Sequence, residues 1–497
     1  MKKWIGVLRN FVKVAVFLGI VGTILCGANF VLKLKSIDGN YVAQMFYEQA
    51  QDTVDVVFIG SSHVYTNVNP AVLWSEYGMA SYDLAGSNQP LWNSYYYMKE
   101  AIELQTPDLV VVDLYRAIEN RDVIDDARTA MNTLGMKPGA NRTASIYASV
   151  ENEASATDYI WGVPVYHTRY ESLTENDFKR YNGDVNGLNY KGFNTNCIST
   201  TVFEGLSDFT EMKDRLPLTQ KNEEYLRKII ELARETDTPL LLMVAPYQGI
   251  MPSDKMIFNE AQALAKEYDV PYVDFNEHYQ EIGFDPREDF AESSHLNYYG
   301  SEKFSTYLGK YLKNRYDIPD RRGDETYISW EENAKYYEKI AYNFRLRNTP
   351  DMEEYLRLLL DNEDYTVCIS LDGGDAIGGI EAANVLGKYG VEAGGEAVIV
   401  LEGGQPIFYA DDSFQDGYEF YKDIGNKTLG IQGTPAKKRD TVTGETTEYV
   451  EKTIELSKTG CLIVGYGMNI LLYDNYTQTY LDSFGFNALD GYQKVRY

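Results

Sequence analysis

Hydrophobic and polar positions along the chain fall into three regimes. The first is one uncharged apolar run, Val14 to Leu32, preceded by Lys2, Lys3, Arg9 and Lys13 and followed by Lys33 and Lys35. That length matches a single helix crossing a bilayer. In the second regime, from Val54 to about Arg315, short apolar runs alternate with amphipathic stretches. The runs Val54–Ile59, Ser81–Ala85, Leu109–Leu114, Leu240–Ala245 and Tyr272–Phe275 predict strands. Helices are predicted near Ala71–Tyr77, Leu91–Leu104, Lys221–Arg234, Asp254–Tyr268 and Tyr299–Arg315. Such alternation predicts a parallel sheet covered on both faces. The run LVVVDL, apolar at successive positions, agrees with burial on both sides. In the third regime the strand-like runs TVCISL, EAVIVL, GCLIVGY and MNILLYD are separated by Gly-rich loops and one helix-like stretch, Ile377–Tyr389. This predicts an α+β or β-rich module.

The expected division is therefore an anchor over residues 1–35, an α/β domain over 36–320, a helical linker over 321–364 and a C-terminal β-rich module over 365–497. The fold class is α/β, a flavodoxin-like three-layer parallel sheet with one N-terminal transmembrane helix. Residues 36–53 are expected to form a short helical stalk. The stretch 115–219 is too long for a simple crossover and is expected to cap the strand ends. It contains TDYIWGVPVYHTRY, an aromatic cluster around His167 that suits a substrate groove.

A chain of 497 residues exceeds one ordinary core, which agrees with that division. The net charge of -28 argues against a nucleic-acid partner, because nothing would neutralise phosphates, and favours solubility outside the cell. The heavier positive charge before the apolar run puts the short N-terminal tail in the cytoplasm and the remainder outside. The run is long for a signal peptide, which favours an uncleaved anchor in the cell membrane. The 42 tyrosines suit sugar-binding clefts and equally suit cores. Beyond the anchor only Cys197, Cys368 and Cys461 occur, at spacings that fit no zinc site. Cys368 and Cys461 both lie in strand-like runs, and whether they pair stays open. Asp372, Asp375, Asp411 and Asp412 read as solvated acidic loops rather than a calcium site.

Two stretches carry the candidate chemistry. VDVVFIGSSH, from Val54 to His63, is an apolar strand that breaks at Gly60 into Ser61 and Ser62. A strand feeding a turn in this way lifts a serine out of the sheet. ESSHLNYYG, from Glu292 to Gly300, follows the last predicted strand and carries His295, one of only four histidines. In a parallel sheet both loops open at the carboxyl edge, where chemistry collects. A serine nucleophile needs a base, and the base needs an acceptor on its other nitrogen. Ser62, His295 and Glu292 supply these three roles. The negative oxygen of an acyl-transfer intermediate needs donors. Ser62 N–H, Gly86 N–H and the Asn88 side-chain amide, the latter two in AGSNQP, are the candidates. This chemistry requires no metal or cofactor.

Those stretches resemble the SGNH/GDSL hydrolase superfamily over about Val54 to Arg315. The serine block maps onto Gly60-Ser61-Ser62, the glycine block onto Gly86 and the closing Asp-x-x-His block onto Glu292 and His295. Ser61 and Glu292 stand where most members have Asp. The stretch DLYRAIEN shows no equivalent of the family's Asn block, so Asn88 stands in for it, with Asn120 the second choice. An outward-facing, membrane-anchored domain of this type is similar to the D-alanine-transfer proteins of teichoic acid synthesis and to exopolysaccharide O-acetyltransferases. That resemblance implies an extracytoplasmic serine esterase or O-acyltransferase acting on a cell-surface glycan or acylated polymer, with a membrane-bound O-acyltransferase as a partner. The last region, with DYTVCISLDGGD and GMNILLYDNYTQTYLDSFGFN, resembles the interleukin-like EMT-inducer module, which implies glycan binding or docking. The alternative is a catalytically silent, membrane-anchored protein that binds a glycan or a partner.

Overall fold

The strands expected between Val54 and Phe275 form one sheet. In the computed structural model they are β1 (Val56–Gly60), β2 (Ser81–Ala85), β3 (Leu109–Asp113), β4 (Leu240–Val244) and β5 (Tyr272–Asp274). All neighbours are parallel, in the order β2-β1-β3-β4-β5. The structure describes residues 2–35, 39–179, 191–194, 205–360, 362–373, 386–389, 396–411, 413–439 and 444–496. They divide into two compact units, Met1–Tyr337 and Glu338–Tyr497.

The first unit begins with α1 (Lys2–Leu32), whose portion Val7–Leu32 is long and apolar enough to cross a membrane. Next comes α2 (Asn40–Phe46), which corrects the expected stalk. Tyr41, Val42, Ala43, Met45 and Phe46 are buried. The Phe46 ring packs on Tyr82 of β2, whose hydroxyl donates to the Val42 carbonyl at 2.8 Å. Five apolar side chains in seven residues belong in a core, where Val42, Met45 and Phe46 are each worth roughly 1.5–3 kcal/mol.

The helices that follow in this unit are α3 (Ser62–Tyr65), α4 (Pro70–Tyr77), α5 (Leu91–Gln105), α6 (Asp126–Thr133), α7 (Ala140–Ser149), α8 (Glu153–Trp161), α9 (Val163–Tyr166), α10 (Gln220–Glu235), α11 (Pro252–Glu267), α12 (Tyr279–Ile282) and α13 (Tyr298–Lys313). Side chains alternate across each strand. Val56 and Phe58 of β1, Leu109 and Val111 of β3, and Leu241 and Met243 of β4 meet Leu73 of α4 and Phe304, Leu308 and Leu312 of α13 on one face. On the other face α5 packs against β1, and α10 against α5. Helix α4 starts where Asn69 caps it and Pro70 pre-sets its first turn, and it stops at Gly78 with φ 68°. The outer edge of β2 is covered by residues 191–194, where the Lys191 carbonyl accepts the Asp83 N–H at 2.8 Å.

The expected cap behaves differently. Its described helices pack sideways. Asn93 and Trp92 of α5 donate to Ser145 and Ser149 of α7, and α9 packs against α1. Asn132 of α6 reaches the strand ends, donating to the Ser87 carbonyl at 2.9 Å. His167 and its aromatic neighbours stand beside the end of α1, in the 3-10 turn His167–Ser172 that packs against it.

Residues expected to form a linker belong to the two units instead. The boundary falls within α14 (Ile328–Asn348). Before it, Arg321 pairs with Asp55 at 2.8 Å, and the Trp330 indole donates to the Ser81 carbonyl at 3.0 Å. After it, α15 (Met352–Leu360) packs Tyr355 and Leu356 into the second unit's core.

That second unit is antiparallel. Its strands are β8 (Tyr365–Asp372), β9 (Ala397–Glu402), β10 (Gln405–Asp411), β11 (Tyr418–Ile424), β12 (Lys427–Arg439), β13 (Thr446–Leu456), β14 (Thr459–Gly460), β15 (Gly467–Asp474), β16 (Thr479–Asn487) and β17 (Gln493–Arg496), with the hairpin β6 (Phe290–Glu292) and β7 (His295–Leu296) belonging to the first unit. One sheet runs β10-β9-β8-β15-β16-β17 and the other β11-β12-β13-β14. Val367, Ile369 and Leu371 face α15, while Cys368, Val398 and Val400 face Leu429, Ile431 and Ile454 of the smaller sheet. Cys368 and Cys461 are both free thiols in that layer, and burial pushes Cys368 up to about 12. Cys197, Asp375, Asp412 and most of the expected helix Ile377–Tyr389 lie outside the described residues. The run GCLIVGY is a strand only at its first glycine, because Asn469 Oδ1 takes the N–H groups of Ile463 and Val464 that a ladder would use.

Candidate functional site

Strand β1 lies between β2 and β3, where the sheet order reverses, so its carboxyl end opens into the crevice such sheets use for ligands. The strand ends at Gly60, where a Cβ would lie 2.8 Å from Val64 and 2.9 Å from Asp113. Only a hydrogen fits there, which is why the chain can turn so tightly into α3. Ser62 opens that helix, so its N–H has no intrahelical acceptor.

The partner loop is the hairpin β6–β7. Its register sets Glu292 opposite His295, with Ser293 and Ser294 at the turn. His295 Nδ1 is hydrogen-bonded to Glu292 Oε1. The other carboxylate oxygen accepts the Ser294 N–H at 2.8 Å and its hydroxyl at 2.9 Å. His295 Nε2 lies 2.7 Å from Ser62 Oγ. With Nδ1–H donating to the carboxylate, Nε2 carries the lone pair that accepts the serine proton. Burial alone would raise the Glu292 carboxyl. The bonds from His295 and Ser294 and the nearby imidazole outweigh it and hold the group down to about 2. Glu292 is therefore an anion at any working pH.

Three side chains not expected from the sequence fix this geometry. Asn67 spans both loops: Oδ1 accepts from Leu296 N–H at 3.3 Å and from Thr66 Oγ1 at 2.7 Å, and Nδ2 donates to the Pro246 carbonyl at 2.8 Å. Gly249 N–H adds a bond to the Ser293 carbonyl at 2.6 Å. His63 is buried behind the site, stacked on Tyr115 with ring centroids 3.4 Å apart and 5.0 Å from the His295 ring. Burial, then His295 and Arg116, keep it well below the ordinary imidazole range, so it is neutral. Asp113, at the end of β3, accepts from Ala245 N–H at 2.9 Å and Tyr115 N–H at 3.3 Å, and burial still pushes it up to about 7. The one signal for His63 in the sequence is its place beside Ser62. Asn67 has none, since its contacts are all made by folding.

The expected oxyanion donors divide. Gly86 N–H is directed at the Gly60 carbonyl at 3.2 Å, because it continues the β1–β2 ladder. In this conformation it is not aimed at a substrate, which corrects that expectation. Asn88 sits in the adjoining turn with φ 52°, half-exposed, and its side chain makes no hydrogen bond among the described residues. Asn120 is exposed to solvent. Among the described residues no group of three or more His, Cys, Asp or Glu is placed to hold a metal ion.

No protein-family model matches the chain, and no curated protein matches it. Among solved structures it is similar to a protein of the G-D-S-L lipolytic family from Desulfitobacterium hafniense DCB-2, at 13% identity and a TM-score of 0.28, over 52% of this chain and 99% of that one. It is also similar to a GDSL-like lipase from Bacteroides thetaiotaomicron VPI-5482, at 11% identity and a TM-score of 0.27, over 56% of this chain and 99% of that one. At these scores neither fold nor activity transfers from them.

Proposed function

We propose that this chain is a serine esterase or O-acyltransferase working outside the membrane on acyl groups of a cell-envelope polysaccharide or teichoic-acid-like polymer. The observation that carries the reading is the unbroken hydrogen-bond chain from Ser62 Oγ through His295 to Glu292. His295 Nε2 takes the Ser62 proton as Oγ bonds to the acyl carbonyl carbon. The carbonyl oxygen becomes negative and is met by Ser62 N–H and the free Asn88 amide. The intermediate collapses, the C–O bond to the sugar oxygen breaks, and that oxygen takes the proton from His295. Water or a second sugar hydroxyl then attacks the acyl-serine with His295 again as base, the bond from the acyl carbon to Oγ breaks, and His295 returns the proton to Ser62. Glu292 keeps the ring in the required tautomer and stabilises the imidazolium.

The acceptor class follows from the resemblance of GSSH and SSHLN to D-alanine-transfer proteins and exopolysaccharide O-acetyltransferases. The outer side is supported by Lys2, Lys3, Arg9 and Lys13, which precede the uncharged run of α1. A silent binding protein is the second reading, favoured by one observation: the amide of Gly86 is already bonded within the sheet. The full chain, purified in detergent, is tested with a chromogenic acetate ester and with acetylated and unacetylated glycan. Acetate release, or acetyl gain by the bare glycan, that disappears in Ser62→Ala supports the enzyme. No turnover by a folded chain on any of them supports the binder.

A further inference from the structure

A cleft of about 530 Å³ opens where α1 leaves its apolar span. Asn29 and Phe30 of the last turns of α1 form one wall. Lys33, Lys35, Lys137 and Arg142 line the rest, with Glu48 the one carboxylate among the lining residues. In a chain of net charge -28 such a cationic pocket runs against the composition. Lys35 lies beside Asp177, but Lys33, Lys137 and Arg142 make no ion pair among the described residues. Burial, then Arg142 and Lys35, push the Lys33 ammonium down to about 8. Arg142 donates to the Tyr159 carbonyl at 3.1 Å, and its buried Nε has no partner among the described residues. Lys137 lies over the Tyr47 ring at 4.4 Å. A buried guanidinium nitrogen without an acceptor destabilises the fold unless a ligand meets it.

The surroundings indicate which ligand. The segment that clasps the end of α1 also presents large apolar side chains to solvent. Trp161 is 63% exposed and precedes Gly162, whose Cβ position lies 2.6 Å from Asn29 Oδ1. Tyr170 is 64% exposed and follows Arg169, which donates to the Leu32 and Lys33 carbonyls at 2.7 and 3.0 Å. Phe178 is 64% exposed and follows Asp177, the partner of Arg169. Aromatic side chains ringing the end of a membrane helix are the usual occupants of the headgroup region. Phe30 and Leu25, both exposed on α1, continue downward from the cleft as an apolar surface for acyl chains.

We propose that this cleft seats the phosphodiester headgroup of an anionic phospholipid in the leaflet where α1 ends. Lys33, Arg142 and Lys137 contact the phosphate, and the acyl chains lie along α1. The site orients the ectodomain on the membrane surface. The proposal rests on α1 crossing a bilayer and is independent of the chemistry at Ser62.

The test uses the full chain in detergent with equimolar phosphatidylglycerol and phosphatidylcholine, and reads bound lipid by native mass spectrometry. Phosphatidylglycerol should be retained about tenfold or more over phosphatidylcholine. Lys33→Gln alone should cut that preference several-fold. The triple variant Lys33→Gln, Lys137→Gln, Arg142→Gln should abolish it while keeping the wild-type melting temperature. Glycerol phosphate at equal concentration should not displace the lipid. Equal retention of both lipids, an unchanged preference in Lys33→Gln, or full displacement by glycerol phosphate would overturn the proposal. Carbonate extraction of native membranes separates the two levels. A chain released by carbonate removes the anchor and the lipid site together, whereas a chain that stays inserted but shows no preference removes only the site.

Discussion

Two polar networks of similar size lie in the two units, and they are built to opposite ends. In the second unit, Asp372 accepts from Ser370 at 2.8 Å, Asn469 at 2.9 Å and Lys452 at 2.8 Å. Asn469 in turn satisfies Ile463 N–H, Val464 N–H and the Val464 carbonyl. This network is closed and holds a loop to a sheet. At the edge of the parallel sheet, Glu292, His295 and Ser62 also form a chain, but its last member is a hydroxyl at the carboxyl end of β1, beside an N–H with no intrahelical acceptor. A closed network contributes stability. An open one keeps capacity for a substrate.

The contrast breaks most sharply at His295. Replacing it with Ala should lower esterase turnover by about ten-thousand-fold or more, with only a modest change in melting temperature because Asn67 and Gly249 hold the hairpin through its backbone. Glu292→Gln should lower turnover by about a thousand-fold, since the amide no longer fixes the imidazole tautomer. Gly60→Ala should affect both properties. The added methyl meets Val64 and Asp113, costing about 1–3 kcal/mol, and shifts Ser62 enough to slow acylation by roughly a hundred-fold. Asp372→Asn should do the reverse of His295→Ala. It leaves Lys452 without its carboxylate and lowers stability by about 1–3 kcal/mol in chemical denaturation, while turnover per folded chain stays unchanged.

The smallest effect is on acid stability. The native Glu292 carboxyl lies at about 2 and the unfolded one at 4.5, so the unfolded chain binds more protons between those values. The stabilisation is complete above 4.5 and disappears as pH falls towards 2. Denaturation curves of Glu292→Gln against wild type should converge over that window. The carboxylate is partly solvated, which keeps the difference small.

The sequence made the parallel sheet legible because its strands are apolar on both faces. Ser81–Ala85 matches the strand at both ends, and the other four agree within two residues. The meeting of Ser62 and His295 was legible for the same reason: a parallel sheet sends the loops after its strands to one edge. The second unit was harder to read because β11, β12 and β13 mix half-buried and exposed residues, as in Tyr418–Ile424, and carry no solid apolar run. The core role of Asn40–Phe46 was hidden by its brevity. Asn67 and the bond from Gly86 to Gly60 depend on contacts far apart in the chain, which spacing does not encode.

The expected losses of turnover all turn on whether His295 activates the Ser62 hydroxyl. The most direct test of that activation is labelling of the folded full chain with a fluorophosphonate, followed by peptide mass mapping. One adduct is expected, on the peptide carrying Ser62, lost in Ser62→Ala and strongly slowed in His295→Ala. A folded wild-type chain that takes no label, or whose label persists in Ser62→Ala, would contradict it.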